Sequence, residues 1–380
     1  MTEIDHRPRS YPQGPQSKRS RYVGRHWPVR DPKTSLCHSR VVPNKLRIDG
    51  FIIAILATVA CATVLPASAG FAPTLEWIVH LAIGLLFFLY GARMHPREAL
   101  DGLKHWRLHV TILSFTFVIF PVVGIALRVL EPHLLTPTLY TGVLYLTLVP
   151  STVQSSIAFT SIARGNVAGS IVSASASNLL GVVLTPGLVL LMASAGLMGS
   201  SGSIQISTSQ IGDIFVQLLL PFILGQLARP LVGRFVTEHA KRLKIVDRGS
   251  ILLVVYSAFS TGMRQGIWHS VTAWQILLLI GLAIAIVAFM LWLTSWVSHR
   301  FSFDRGDLIA VQFCGTKKSL ASGLPMAAVL FAGQPVGLIV LPLMIFHQVQ
   351  LMMCSWLAAR YSRESLREPP TSRVQELDHG

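Results

Sequence analysis

Long runs of apolar residues alternate with short polar clusters along most of this chain. After residue 47 there are ten apolar segments, covering about residues 50–69, 75–92, 108–130, 138–163, 167–195, 211–232, 250–263, 271–298, 307–331 and 336–359. A helix needs about 20 apolar residues to cross a hydrocarbon core, and most of these runs reach that length. The pattern therefore predicts an all-α polytopic membrane protein with ten transmembrane helices. The seventh run is short for a span. The fourth is interrupted by Pro150-Ser151-Thr152, and the ninth by Gly315-Thr316-Lys317-Lys318-Ser319. Pro121 in the third run and Pro221 in the sixth predict kinks.

The polar stretches divide the chain further. Residues 1–47 are rich in Pro, Arg and Ser and have no apolar period, so they read as a disordered, basic cytoplasmic extension. With no apolar core in that stretch, the first apolar run serves as an uncleaved signal anchor. Residues 48–198 hold five runs, 199–210 form a Gly/Ser/Gln/Thr-rich exterior linker, and 211–359 hold five more. Residues 360–380 read as a flexible cytoplasmic tail. An odd number of helices on each side of the linker inserts the second half upside down. The interrupted runs are the fourth of each half. This is the pattern of an inverted repeat whose paired broken helices carry a transport site.

Composition supports the membrane reading. The chain of 380 residues is 52% hydrophobic and 13% charged, with a mean hydropathy of +0.56. A formal net charge of +15 raises the question of nucleic acid. The distribution of charge argues against it. Residues 1–47 hold eleven Lys/Arg against three acids, and most of the rest sit in alternate loops. Those loops carry Arg93, Arg97, Lys104 and Arg107; Arg164; Arg234, Lys241, Arg242, Lys244 and Arg248; and Arg300 and Arg305. The intervening loops hold little beyond Arg264. Basic loops mark the cytoplasmic side, so both termini are expected there, in a multi-pass protein of the cell (inner or plasma) membrane. Cys37, Cys61, Cys314 and Cys354 show neither metal nor disulfide spacing. No nucleophile–His–acid set or phosphate loop is present, which argues against an enzyme, and no cofactor other than a coupling ion is expected.

The candidate chemistry lies at the two interruptions. A central lysine in a membrane helix costs roughly 2.5–3.5 kcal/mol, so an intramembrane charge is read as functional unless shown otherwise. The first break offers Ser151, Thr152, Gln154, Ser155 and Ser156 around Pro150. A proline kink healed by its own hydroxyls would account for some of them. The fifth run adds Ser170, Ser173 and Ser177 on one face and Asn178, Gly181 and Thr185 beside them. Close helix packing explains the serines as well as function does, but a buried amide such as Asn178 needs several partners. The second break offers Thr316, Lys317, Lys318 and Ser319. Adjacent helical positions diverge by about 100°, so one lysine should face the crossing of the broken helices and the other a cytoplasmic vestibule. A surface loop between two half-helices is the plainer alternative. His347 in the tenth run is a candidate proton relay or a hydrogen-bonded core residue.

At these residues the sequence resembles the bile acid:sodium symporter superfamily, in its SBF-like subgroup. The resemblance rests on residues 148–161 (LVPSTVQSSIAFTS), 163–166 (ARGN), 173–186 (SASASNLLGVVLTP) and 313–327 (FCGTKKSLASGLPMA), and spans about residues 48–360. It implies a panel domain of spans 1, 2, 6 and 7 and a core domain of spans 3–5 and 8–10. Broken helices 4 and 9 would cross in the core, a small organic anion would bind near the crossing, and one domain would rock against the other. It also implies sodium ligands from helices 4, 5 and 9. The matching positions here are Ser155 and Ser156, then Ser173, Ser177 and Asn178, then Phe313 for a glutamate and Lys317 and Lys318 for a Gln-Asn pair. Thr116 stands for a helix-3 glutamine. With the carboxylate gone and lysine in place, one ammonium is expected to substitute for a sodium ion, since two unit charges of one sign repel in a desolvated site. Transport would then be proton-linked or uncoupled, or keep sodium only near Ser155, Ser156, Ser177 and Asn178. Lysine can itself carry a coupled proton. Alternatively, a lysine binds the substrate's carboxylate or sulfate. A membrane regulator or receptor that kept the fold is the competing functional class.

Overall fold

In the computed structural model the described residues are 50–93, 105–131, 133–198, 212, 214–264, 266 and 271–367. The basic extension, the linker at 199–210, Arg97, Lys104 and residues 368–380 lie outside them. Secondary structure among the described residues is helical throughout, with no strand.

Twelve helices follow in order: α1 (Gly50–Val64), α2 (Ala72–Arg93), α3 (Trp106–Leu130), α4 (Pro137–Leu148), α5 (Val153–Ile162), α6 (Val167–Ser194), α7 (Phe215–Glu238), α8 (Ala240–Arg264), α9 (Ala273–Arg300), α10 (Arg305–Thr316), α11 (Leu320–Leu330) and α12 (Val336–Arg367). Six of these are long and apolar enough to cross a membrane: α2, α3, α6, α7, α9 and α12. The bent pair α4 and α5, at 60°, makes a seventh crossing if taken as one span. The runs expected as the first, seventh and ninth spans form α1, α8 and the pair α10–α11, none of which is long and apolar enough by that measure. Their lengths and charges explain why hydropathy speaks less strongly there. The α1 helix stops at Val64, not near residue 69, because Pro66 disfavours helix at the residue before it. The α8 helix starts with Lys241, Arg242 and Lys244, ahead of its apolar half. The α10–α11 pair carries the two lysines. The α12 helix continues past residue 359 to Arg367, with an Arg360–Glu364 pair at 2.8 Å on its surface.

Helix starts follow local sequence. Asn166 caps α6 by accepting from the Gly169 amide, and Asp304 caps α10 by accepting from Asp307. Thr272 and Gln275 form a capping box at α9. The two prolines expected to kink helices do something more specific. Each lies just after a π-turn, Phe115–Ile119 in α3 and Phe215–Leu219 in α7. In each, the amide before the proline reaches the carbonyl five residues back: Phe120 to Phe115, and Leu220 to Phe215.

The helices pack in two groups. In one, α2 lies along α7, α1 packs on α8, and α8 also meets α2. In the other, α4 packs on α12, α9 on α10 and α12, α5 on α6, α10 on α3, α5 and α6, and α11 on α12. The groups meet chiefly where α8 touches α11 and α12. The outward faces are apolar, with Trp77, Leu81, Trp292 and Trp296 exposed, while Ser, Thr, Gln and Lys side chains are buried inside. That is the polarity expected where lipid is the solvent.

The α2–α7 contact is backbone against backbone. A Cβ on Gly225 would land on the Phe88 carbonyl oxygen, and one on Gly91 on that of Phe222. Neither neighbour is a flexible side chain, so the helices would have to part. Gly225→Leu is expected to lower stability by more than about 2 kcal/mol, read as earlier loss of the monodisperse gel-filtration peak on heating. A wild-type melting profile would show that the contact tolerates separation.

Candidate functional site

The crossing forms because two helices stop where sequence forbids them to continue. Pro150 has no amide, so α4 ends at Leu148 with Val149 extended. Serine and threonine then supply the partners for the freed backbone. The Leu148 carbonyl accepts from Thr185 Oγ1 at 2.9 Å, that of Pro150 from the Ser319 amide at 2.8 Å, and that of Ser151 from Asn178 Nδ2 at 2.6 Å. On the other strand of the crossing, α10 ends at Thr316 with Lys317 extended, and Ser319 caps α11 by accepting from the Ser322 amide. Ser151 Oγ donates to the Cys314 carbonyl at 2.6 Å, Ser156 Oγ to that of Phe313 at 3.1 Å, and Thr152 Oγ1 to that of Lys318 at 2.7 Å. The hydroxyls at the first break thus hold the backbone of the second.

Thr147 and Val149 still have free carbonyls at the C-terminal end of α4, and a third lies opposite on α3. There Thr116 has lost both helical donors: the Phe120 amide is spent on Phe115, and Pro121 has none. Lys318 fills all three positions. Its Nζ donates to the carbonyls of Thr116 at 2.8 Å, Thr147 at 2.7 Å and Val149 at 2.9 Å, and sits 4.2 Å from the centre of the Phe120 ring. An ammonium has three donors, and here all three are used, against the negative end of a helix. The Lys318 backbone is pinned as well, since its amide donates to Gln350 Oε1 and its carbonyl accepts from Gln350 Nε2, both at 2.8 Å.

Lys317 turns the other way. Neither lysine has any solvent exposure, so the expected vestibule position is not observed, and the surface-loop alternative is excluded by the same burial. The Lys317 side chain enters an apolar cluster of α5, α10 and α12. Its Nζ lies 3.9 Å from the Phe159 ring centre and 5.4 Å from that of Phe313. It has no hydrogen-bond partner among the described residues; the same holds for Ser155 Oγ and Thr316 Oγ1.

The crossing gathers most of the other expected residues. Ser177 Oγ accepts from the Ser151 amide at 3.0 Å, and Asn178 Oδ1 accepts from Ser322 Oγ at 2.8 Å. Ser173 Oγ pairs with His109 Nδ1 at 2.6 Å, away from the break. Thr116 Oγ1 donates to the Ile112 carbonyl within its own helix, so this residue contributes its backbone oxygen rather than its side chain. Gln154 points outward and is exposed. His347 is half-buried, with Nδ1 2.8 Å from Gln350 Nε2 and 3.5 Å from the Lys318 carbonyl. Of the four residues expected near a sodium ion, Ser156, Ser177 and Asn178 hydrogen-bond across the crossing, and Ser155 Oγ has no partner among the described residues.

Sequence reasoning did not single out Thr147, Phe120, Phe159 or Gln350. Thr147 acts through its backbone carbonyl, which its residue type does not mark, whereas Gln350 acts through its side-chain amide. The Thr147 carbonyl is free because the Ser151 amide, its helical donor, is given to Ser177 Oγ.

A profile of the family described as SBF-like CPA transporter family (DUF4137) matches residues 49–363. A Pseudomonas aeruginosa protein is 50% identical over 318 residues, 83% of this chain and 93% of its own. The Escherichia coli protein named "Putative symporter YfeH" is 44% identical over 318 residues, 84% of this chain and 94% of its own. The Xenopus tropicalis protein named "Sodium/bile acid cotransporter 7" is 28% identical over 341 residues, 86% of this chain and 98% of its own.

Proposed function

The chain belongs to the SBF-like CPA transporter family, and we propose that it is a secondary active transporter, of symporter type, for a small organic anion. The proposed architecture is ten spans in a five-plus-five inverted repeat. Related pairs of contacts support the repeat: α1–α8 matches α7–α2, α4–α12 matches α10–α6, and α5–α6 matches α11–α12. Each pair interchanges when the first five spans are exchanged for the last five. The two packing groups would be the moving parts, α1, α2, α7 and α8 against the rest, opening the crossing alternately to each side. The loop charges support a cell-membrane protein with both termini cytoplasmic.

The observation that carries the mechanism is the Lys318 ammonium with three carbonyl oxygens around it. A sodium ion in that position would meet a charge of its own sign, at a cost of about 4 kcal/mol for 4 Å and an effective dielectric near 20. We therefore assign Lys318 as the built-in substitute for a sodium ion, and transport as independent of sodium at the crossing. Lys317, with no bond to lose, is the charge proposed to meet the substrate's acid group. If a proton is coupled, His347 is the proposed relay, since it sits beside the Lys318 carbonyl and is hydrogen-bonded to Gln350.

The test is a thermal-shift screen of bile acids, sulfated steroids and aromatic carboxylates in detergent, followed by proteoliposome uptake of any hit in sodium and in choline. Equal uptake in both is expected. A strict sodium requirement that persists in Lys318→Ala would sink the assignment. Anions that stabilise the protein but never cross would favour the receptor alternative.

A further inference from the structure

Away from the crossing, the basic ends of α2 and α7 enclose a cleft of about 650 Å³ whose lining includes Arg93, Gln226, Arg229, Arg234, Thr237 and Glu238. Arg93 is held from one side only. Its Nη1 pairs with Asp247 of α8, while its Nε and Nη2, and Asp247 Oδ1, are buried without a partner among the described residues. Arg234 reaches Glu238 at 2.8 Å, one turn along its own exposed helix surface. Among the described residues three guanidiniums thus face two carboxylates, and one positive charge remains at the cleft. That is the complement of a singly charged phosphodiester, which arginine recognises through paired donors.

The neighbouring surface indicates where such a group would come from. Leu224, Leu227 and Leu231 lie at helical spacing on α7, and the last two are 71% and 86% exposed. This apolar stripe runs along the span and reaches the turn that carries Arg229 and Arg234. A free phosphate has no use for it, but acyl chains would lie along it while the headgroup enters the cleft. Basic clefts between transmembrane helices are suited to anionic headgroups. We propose that the Arg93–Arg229–Arg234 cleft binds the phosphate of an anionic phospholipid, with the acyl chains along the α7 leucine stripe.

The test uses the full-length protein in detergent and in vesicles. Native mass spectrometry with phosphatidylglycerol and phosphatidylcholine at equal mole fraction should show retained phosphatidylglycerol, favoured by about fivefold or more. Thermal stability should rise with phosphatidylglycerol, and this gain should fall away in Arg229→Gln and survive in Arg229→Lys. Arg229→Gln leaves the Arg93–Asp247 pair in place. Equal retention of the two lipids by the wild type would overturn the proposal whether or not the variant folds. So would an undiminished gain in Arg229→Gln. Inorganic phosphate giving the same stabilisation as the lipid would overturn the lipid assignment in favour of a soluble ion.

Discussion

Lys318→Met is expected to be among the most destabilising single substitutions in this protein. It keeps an unbranched chain one atom shorter and removes three donors at once. The carbonyls of Thr116, Thr147 and Val149 then lie buried with no partner, and no water reaches them. Each such group costs about 1–3 kcal/mol, so a loss of the order of 3–5 kcal/mol is a restrained figure. For a chain of this size that lowers the apparent melting temperature by roughly 4–6 °C. The measurement is the temperature at which the monodisperse peak is lost in detergent. Lys318→Ala adds a second readout. It opens a space lined by three converging carbonyl oxygens at the end of a helix, a favourable place for a small cation. The melting temperature of Lys318→Ala is therefore expected to rise in sodium relative to choline, while that of the wild type does not. A sodium-indifferent Lys318→Ala with wild-type stability would show that the ammonium neither holds the crossing nor occupies a cation position.

Lys317→Met should do the opposite, although it changes the adjacent residue in the same way. The Lys317 ammonium has no hydrogen bond to lose, and its buried neighbours are the Phe159 and Phe313 rings. A cation over a desolvated aromatic face gains about 2 kcal/mol, less than the several kcal/mol that burying an unpaired charge costs. Methionine, of similar volume and favourable beside aromatic rings, should leave stability unchanged or raise it by about 1–4 kcal/mol. Transport of the anion should be lost in the same variant. A destabilised Lys317→Met would assign Lys317 a structural role, and wild-type uptake in it would remove the residue from the substrate site.

Run lengths and residue types in the chain were enough to read a helical membrane protein and the positions of its two breaks. Apolar run lengths place the helices, Pro150 and the Gly-Thr-Lys-Lys-Ser run predict the two breaks, and the serines of α6 were legible as one face. These are local properties: length, periodicity and the missing amide of proline act within a few residues of themselves. What each lysine does was decided only by the tertiary structure. Lys317 and Lys318 are chemically identical neighbours, and nothing in the run tells them apart. Lys318 is satisfied because a π-turn on α3 frees the Thr116 carbonyl and the end of α4 brings two more to meet it, from positions 202 and 171 residues away in the chain. Lys317 is unsatisfied because its direction from the same extended segment leads into aromatic rings of α5 and α10. Whether a buried charge is bonded or left bare depends on groups contributed by distant helices, which no local pattern in the chain encodes.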